Sequence, residues 1–162
     1  MCHLNSNTRL FLRTALHTSI LLHHSLFPLY AAYTVQFMDA SIRATIMKYT
    51  WAYLTYWTFG FQVTFLLLAV GCDIAEWKDY VDAVLYKKIK YWRDVTFTGL
   101  VVPFTSFVTV MFWGVYWIDR ELVYPRAYDP AVPWWFNHSV HTVTFFMVVL
   151  ETLLQPKKAS RP

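Results

Sequence analysis

Four stretches of this 162-residue chain contain no Asp, Glu, Lys or Arg, and they limit its fold more than any other feature. They cover residues 14–38, 49–72, 95–118 and 131–150, or 25, 24, 24 and 20 residues. About 20 consecutive apolar residues cross a bilayer as a helix. Four such runs in so short a chain are hard to reconcile with a water-facing domain. With 57% of residues hydrophobic and only 15% charged, few charges remain to cover a soluble surface. The expected fold is all-α: an integral membrane bundle of four transmembrane helices, over about 14–38, 49–72, 95–118 and 131–152. It forms a single domain over 1–162, with a polar tail at 153–162.

The first run is too long for a signal peptide, and it carries His17, His23, His24 and Pro28. The three histidines read as bundle-facing hydrogen-bonding groups. His23 and His24 point about 100° apart, so one helix face cannot use both. Residues 39–48 form a short polar link. Gly71 and Asp73 mark the expected exit of the second span. In the link at 73–93, Trp77, Val81, Val84, Leu85 and Trp92 recur at helical steps, with Lys87, Lys88 and Lys90 close by. That pattern predicts an amphipathic interfacial helix. The two cysteines, Cys2 and Cys72, make neither a disulfide framework nor a metal cluster. Cys72 reads as a buried thiol, with palmitoylation at a membrane boundary as the other reading. A formal charge of +4, spread over the flanks of apolar spans, fits anionic lipid headgroups and not nucleic acid.

Positive charge also gives a side. Arg9, Arg13, Lys78, Lys87, Lys88, Lys90, Arg93, Lys157, Lys158 and Arg161 fall on one side of the expected bundle. Arg43, Lys48, Arg120 and Arg126 fall on the other. Basic residues collect on the cytoplasmic side, so both termini are expected there, in the endoplasmic reticulum or plasma membrane. Trp51, Trp57, Trp113, Trp117, Trp134 and Trp135 fall at the outer ends of the spans, where amphipathic rings sit at the interface. Spans two and four both enter from that side. Thr55 and His141 then lie about 6–11 Å inside their interfacial tryptophans, at similar depth.

The polar residues of the fourth span are concentrated in Pro133-Trp-Trp-Phe-Asn137-His138-Ser-Val-His141-Thr142. On an α-helix His141 shares a face with Asn137 and His138, one turn earlier. A hydroxyl becomes a nucleophile when a base takes its proton, and a third group that orients the imidazole helps. Thr55, His141 and Asn137 could make such a set, with Asn137 or His138 as oxyanion donors. Thr58, Thr142 and Thr144 are comparable candidates for the hydroxyl. Threonines in membrane helices also bond their own i−4 carbonyls, which is the structural alternative. His138-x-x-His141 has helical metal-ligand spacing, but no third or fourth ligand motif accompanies it, so no metal or other cofactor is expected.

Three segments together resemble one family. They are Tyr53-Leu54-Thr55, then Trp117-Ile-Asp119-Arg120-Glu121-Leu-Val-Tyr124-Pro125, then the Asn137-His138-x-x-His141-Thr142 element. In this order and spacing they resemble the androgen-induced (FAR-17a type) family of multi-pass membrane proteins, from about Arg13 to about Glu151. The resemblance implies a threonine hydrolase that cleaves fatty acid esters of hydroxy fatty acids. Carried over motif by motif, the nucleophile falls on Thr55 and the base on His141, with Asn137 and His138 in support. The implied partners are membrane lipids and a lipid-ester substrate. The family usually has six spans, and four are expected here, so the chain reads as C-terminally truncated. The alternative function is a non-catalytic membrane protein that binds lipid or a full-length homologue.

Overall fold

The computed structural model describes residues 5–130 and 132–155. The polar tail from residue 156 on, with Lys157, Lys158 and Arg161, lies outside the described residues, as do Cys2 and position 131, where the fourth span was expected to begin. All regular structure among the described residues is helical.

Helix α1 spans Ser6–Val35, with Asn5 as its N-cap and Pro28 inside it. A proline inside a helix removes one backbone donor. The helix also holds several hydroxyls in apolar surroundings, and these satisfy themselves locally. Thr14, Ser25 and Thr34 donate to the carbonyls of Leu10, Leu21 and Tyr30 at 2.8–2.9 Å. The polar link at 39–48 folds as α2, Ala40–Tyr49, with no buried residue, followed by a 3₁₀ turn at Thr50–Ala52. Helix α3 spans Leu54–Trp77.

After a turn at 78–83 the chain resumes as α4, Val84–Thr96, and continues through a π-helical turn, Phe97–Val101, into α5, Val102–Ile118. The three make one 35-residue rod, Val84–Ile118. Pro103 explains the π turn. Its ring has no N–H to give and crowds the carbonyl four residues back, and a wider turn accommodates both defects. Two 3₁₀ turns, Arg120–Leu122 and Arg126–Tyr128, lead to α6, Trp135–Asn137. A second π turn, His138–Val143, joins α6 to α7, Thr144–Leu154.

Several expected boundaries shift. The first apolar stretch belongs to a helix that begins at Ser6, and the second to a helix that runs on to Trp77. The helical part of the middle link is not a separate interfacial helix; it runs without a break into the helix of the third apolar stretch. Asp73 is not an exit signal. It is fully buried inside α3, because a partner offsets the cost of taking its charge out of water.

That partner is Arg13, whose Nε donates to Asp73 Oδ1 at 2.8 Å and whose Nη2 donates to Glu76 Oε2 at 2.7 Å. His17 bridges the other Asp73 oxygen, at 2.6 Å, and Glu151 Oε2, at 2.9 Å. This ionic clasp ties α1, α3 and α7 together at one end of the bundle. Above it lies a small apolar core of Phe65, Leu66, Ala69, Phe97, Val101, Met147 and Val148.

Among the described residues, 14 buried positions are polar or charged and 11 are hydrophobic. Leu22, Leu29, Phe107, Val110, Phe146 and Leu153 are meanwhile more than half exposed. A water-soluble protein shows the opposite distribution. Polar groups inside and apolar groups outside are what a lipid-facing bundle needs. Two helices, Leu54–Trp77 and Val84–Ile118, are long and apolar enough to cross a membrane.

Candidate functional site

The first turns of α3 carry Thr55, half-buried, on the same face as Thr58, Phe59 and Gln62. Across from that face stand Thr105, Val108 and Thr109 of α5 and Val140 and Thr144 of the last helical run. Together these residues line a cleft too narrow for a water molecule. The cleft threonines differ in one respect. Thr58 and Thr144 donate to their own i−4 carbonyls, Leu54 O and Val140 O. Thr109 donates to the His141 carbonyl at 2.8 Å, and Thr105 Oγ1 accepts from Gln62 Nε2 at 2.7 Å. The Thr55 hydroxyl has no hydrogen bond among the described residues, so it is the one left free.

His141 is buried, and its ring stacks on Phe112 with centroids 3.7 Å apart and planes 13° apart. Its Nδ1 is the one buried side-chain polar atom among the described residues with no hydrogen-bond partner. Such orphans are uncommon in folded proteins and call for an explanation. His141 does not itself line the cleft, but its chain neighbour Val140 and its carbonyl partner Thr109 do.

The expected support for His141 from one turn earlier is absent. In α-helical geometry Asn137, His138 and His141 share a face. The π turn at His138–Val143 swings His138 away from the His141 face, because a wide turn takes up an extra residue. His138 instead pairs with Thr142, Nδ1 to Oγ1 at 3.2 Å, and packs against Trp113 with centroids 4.8 Å apart. Asn137 makes no side-chain hydrogen bond among the described residues and does not hold the His141 ring. The two halves of His138-x-x-His141 are therefore in different settings. Among the described residues no three His, Cys, Asp or Glu side chains are arranged to hold a metal ion.

Asn137, His138 and Thr142 belong to a second space, an open vestibule of about 720 Å³. Its other walls are tryptophans and tyrosines of the α5 end and the loop beyond, together with the pair Arg120–Asp129. Arg120 Nη2 donates to Asp129 Oδ1 at 2.6 Å, and the guanidinium lies over the rings of Tyr116 and Tyr124. Burial pushes the Tyr124 phenol up to about 12. A volume of this size is within the range of ligand sites, and the cleft beside Thr55 is not.

Other polar residues reinforce the cleft from behind. Gln62 is fully buried; its Oε1 faces His24 Nε2 at 2.7 Å and its Nε2 donates to Thr105. His23 Nε2 lies 2.7 Å from Ser139 Oγ in the π turn. The two adjacent histidines thus serve two different neighbours, as their angular separation requires. Gln62 was not singled out from sequence, although a lone Gln seven residues after Thr55 shares its helix face. Cys72 is buried, which fits the unmodified-thiol reading.

A family model described as FAR-17a/AIG1-like protein matches residues 13–161. The androgen-dependent TFPI-regulating protein of Rattus norvegicus is 40% identical over 95 residues, covering 56% of this chain and 41% of that protein. The Homo sapiens protein of the same name is 38% identical over 73 residues, or 43% and 32% of the two chains. The androgen-induced gene 1 protein of Homo sapiens is 29% identical over 107 residues, or 63% and 45%. In each case the matched stretch covers less than half of the relative's own length. No solved structure matches the chain significantly.

Proposed function

The chain belongs to the FAR-17a/AIG1-like family and is a membrane protein of that family; from that premise we propose that it hydrolyses lipid esters, with Thr55 as nucleophile and His141 as base. The reading includes four membrane spans, with both ends of the chain on the cytoplasmic side. The substrate class is fatty acid esters of hydroxy fatty acids, as the resemblance of the Thr55 and His141 segments implies.

One observation carries the chemistry. In the cleft region, the groups without hydrogen bonds among the described residues are the Thr55 hydroxyl and the buried His141 Nδ1. The neighbouring threonines are all engaged. A free hydroxyl and an unpartnered imidazole nitrogen on facing elements are the parts that general-base activation needs. In the proposed cycle the His141 ring leaves Phe112 and takes the Thr55 proton as Thr55 Oγ bonds to the ester carbonyl carbon. The hydroxy fatty acid then leaves with that proton. Water attacks the acyl-Thr55 ester, giving one proton to His141, which returns it to Thr55 Oγ as the fatty acid departs. Access for the ester requires the cleft to widen.

A fluorophosphonate probe tests the assignment. Labelling is expected at Thr55, lost in Thr55→Ala and retained in Thr58→Ala. His141→Ala is expected to slow ester hydrolysis by about 100- to 10,000-fold, the usual contribution of a general base. Unchanged labelling of Thr55→Ala would remove Thr55 from the mechanism. The closed cleft and the engaged His141 ring favour a second reading, a lipid-binding protein without turnover. It predicts stable insertion with no release of fatty acid.

A further inference from the structure

We propose that the vestibule is a binding site for the carboxylate of an ionised lipid, with Arg120 as its counterion. Where that lipid is an ester substrate, the inference rests on the hydrolase reading; the binding itself does not.

The vestibule has unfilled donors. Arg120 uses Nη2 for Asp129, at 2.6 Å, and Nε for the Tyr124 carbonyl, at 3.3 Å. Its Nη1 makes no hydrogen bond among the described residues. The guanidinium is held over Tyr116 and Tyr124, 5.8 and 5.2 Å from the ring centres, so its plane is fixed before any ligand arrives. Asn137, on the same vestibule, has a free side-chain amide. His138 Nδ1 is taken by Thr142, and its Nε2 makes no hydrogen bond among the described residues. What completes the unfilled Arg120 Nη1 and Asn137 amide donors is an acceptor, and a carboxylate makes a charge-assisted hydrogen bond with an arginine. A cation would find a single carboxylate, Asp129, which is already paired with Arg120 through Oδ1.

The walls say that the acid is a lipid. Trp113, Trp117 and Trp134 line the space, and the last two are more than three-quarters exposed. Tryptophans so placed sit at the level of lipid headgroups. The same helical turn borders both spaces. Thr142 lines the vestibule, Val140 lines the Thr55 cleft, and His141 lies between them in the chain. A lipid held by its carboxylate in the vestibule can thus run its chain along this turn.

The test uses the full 162-residue chain in phosphatidylcholine nanodiscs at about pH 9, where a fatty acid is ionised. Dibromostearic acid and its methyl ester are compared as quenchers of tryptophan fluorescence. The acid is expected to quench at about tenfold lower concentration than the ester, the worth of a charge-assisted hydrogen bond. Arg120→Gln should bring the acid to the level of the ester. Asp129→Asn should tighten acid binding, because it removes a competing carboxylate. The methyl ester curve should be the same in both variants, which reports intact folding. Equal quenching by acid and ester in the native chain overturns the proposal. So does an Asp129→Asn variant that loses the acid, since the ion pair then serves only structure or a zwitterion. Phosphatidic acid with brominated chains that quenches with the same Arg120 dependence would replace carboxylate by phosphate and overturn the assignment. Hydrolysis is not read in this experiment. Acid binding without turnover counts against the hydrolase alone, and turnover without acid selectivity counts against the vestibule alone.

Discussion

His17 shows how single residues carry this fold. Both ring nitrogens face carboxylates, Asp73 at 2.6 Å and Glu151 at 2.9 Å, and all three side chains are almost completely buried. A neutral imidazole has one N–H and cannot donate to both, so the group of three holds one more proton than neutral His17 and two carboxylates would. Removing the bridge leaves two acidic groups facing each other out of water. His17→Ala is expected to destabilise the bundle by about 3–5 kcal/mol, as breaking a buried pair does, measured by denaturant unfolding in detergent. The double variant His17→Leu/Glu151→Leu leaves Arg13 paired with Asp73 and should recover part of that loss. Equal losses in the single and double variants would show that the bridge is not the cause. Part of this was readable in advance: histidines inside an apolar run need partners. Which partners was not readable. Asp73 lies 56 residues away and Glu151 134, and nothing local distinguishes a helix-ending Asp from a buried one. Thr55 and His141 were singled out on depth and resemblance. That the Thr55 hydroxyl and His141 Nδ1 lack hydrogen-bond partners among the described residues is seen only in the structure.

At the scale of elements, both π turns sit where helices have to adapt. The turn at Phe97–Val101 precedes Pro103, so its cause is written in the sequence. The turn at His138–Val143 has no proline, and 3.6-residue periodicity misassigned its faces for that reason. A bond from a neighbouring helix supports it: Thr109 of α5 donates to the His141 carbonyl. Thr109→Val keeps the shape and removes the donor. It is expected to cost about 0.5–1.5 kcal/mol in the same unfolding assay, typical of one hydrogen bond between membrane helices. No loss of stability would mean that the turn stands without this support. The middle link is a similar case. Its amphipathic period was real, but periodicity does not tell a separate helix from the extension of the next one, and Val84–Ile118 is a single rod.

At the scale of the whole molecule, the all-helical fold was legible because uncharged runs of this length have few other uses. The charge bias of the sequence makes a prediction of its own. A glycosylation acceptor placed in α2, at 40–49, should be modified, and one placed beside Lys87 should not; the reverse pattern would invert the topology. Ten basic residues define the cytoplasmic side in that argument, yet Arg13 and Arg93 are buried and bonded to carboxylates. They therefore belong to the interior as much as to the surface. The ionic clasp also bears on how the chain is made. Ribosomes add about 5–20 residues per second, so roughly 7–27 s separate the synthesis of His17 from that of Glu151. Asp73 appears well before that. During the interval the first helix has one of its two acidic partners, and its second is supplied only when α7 emerges. Helix α1 therefore has its polar contacts completed long after its own synthesis.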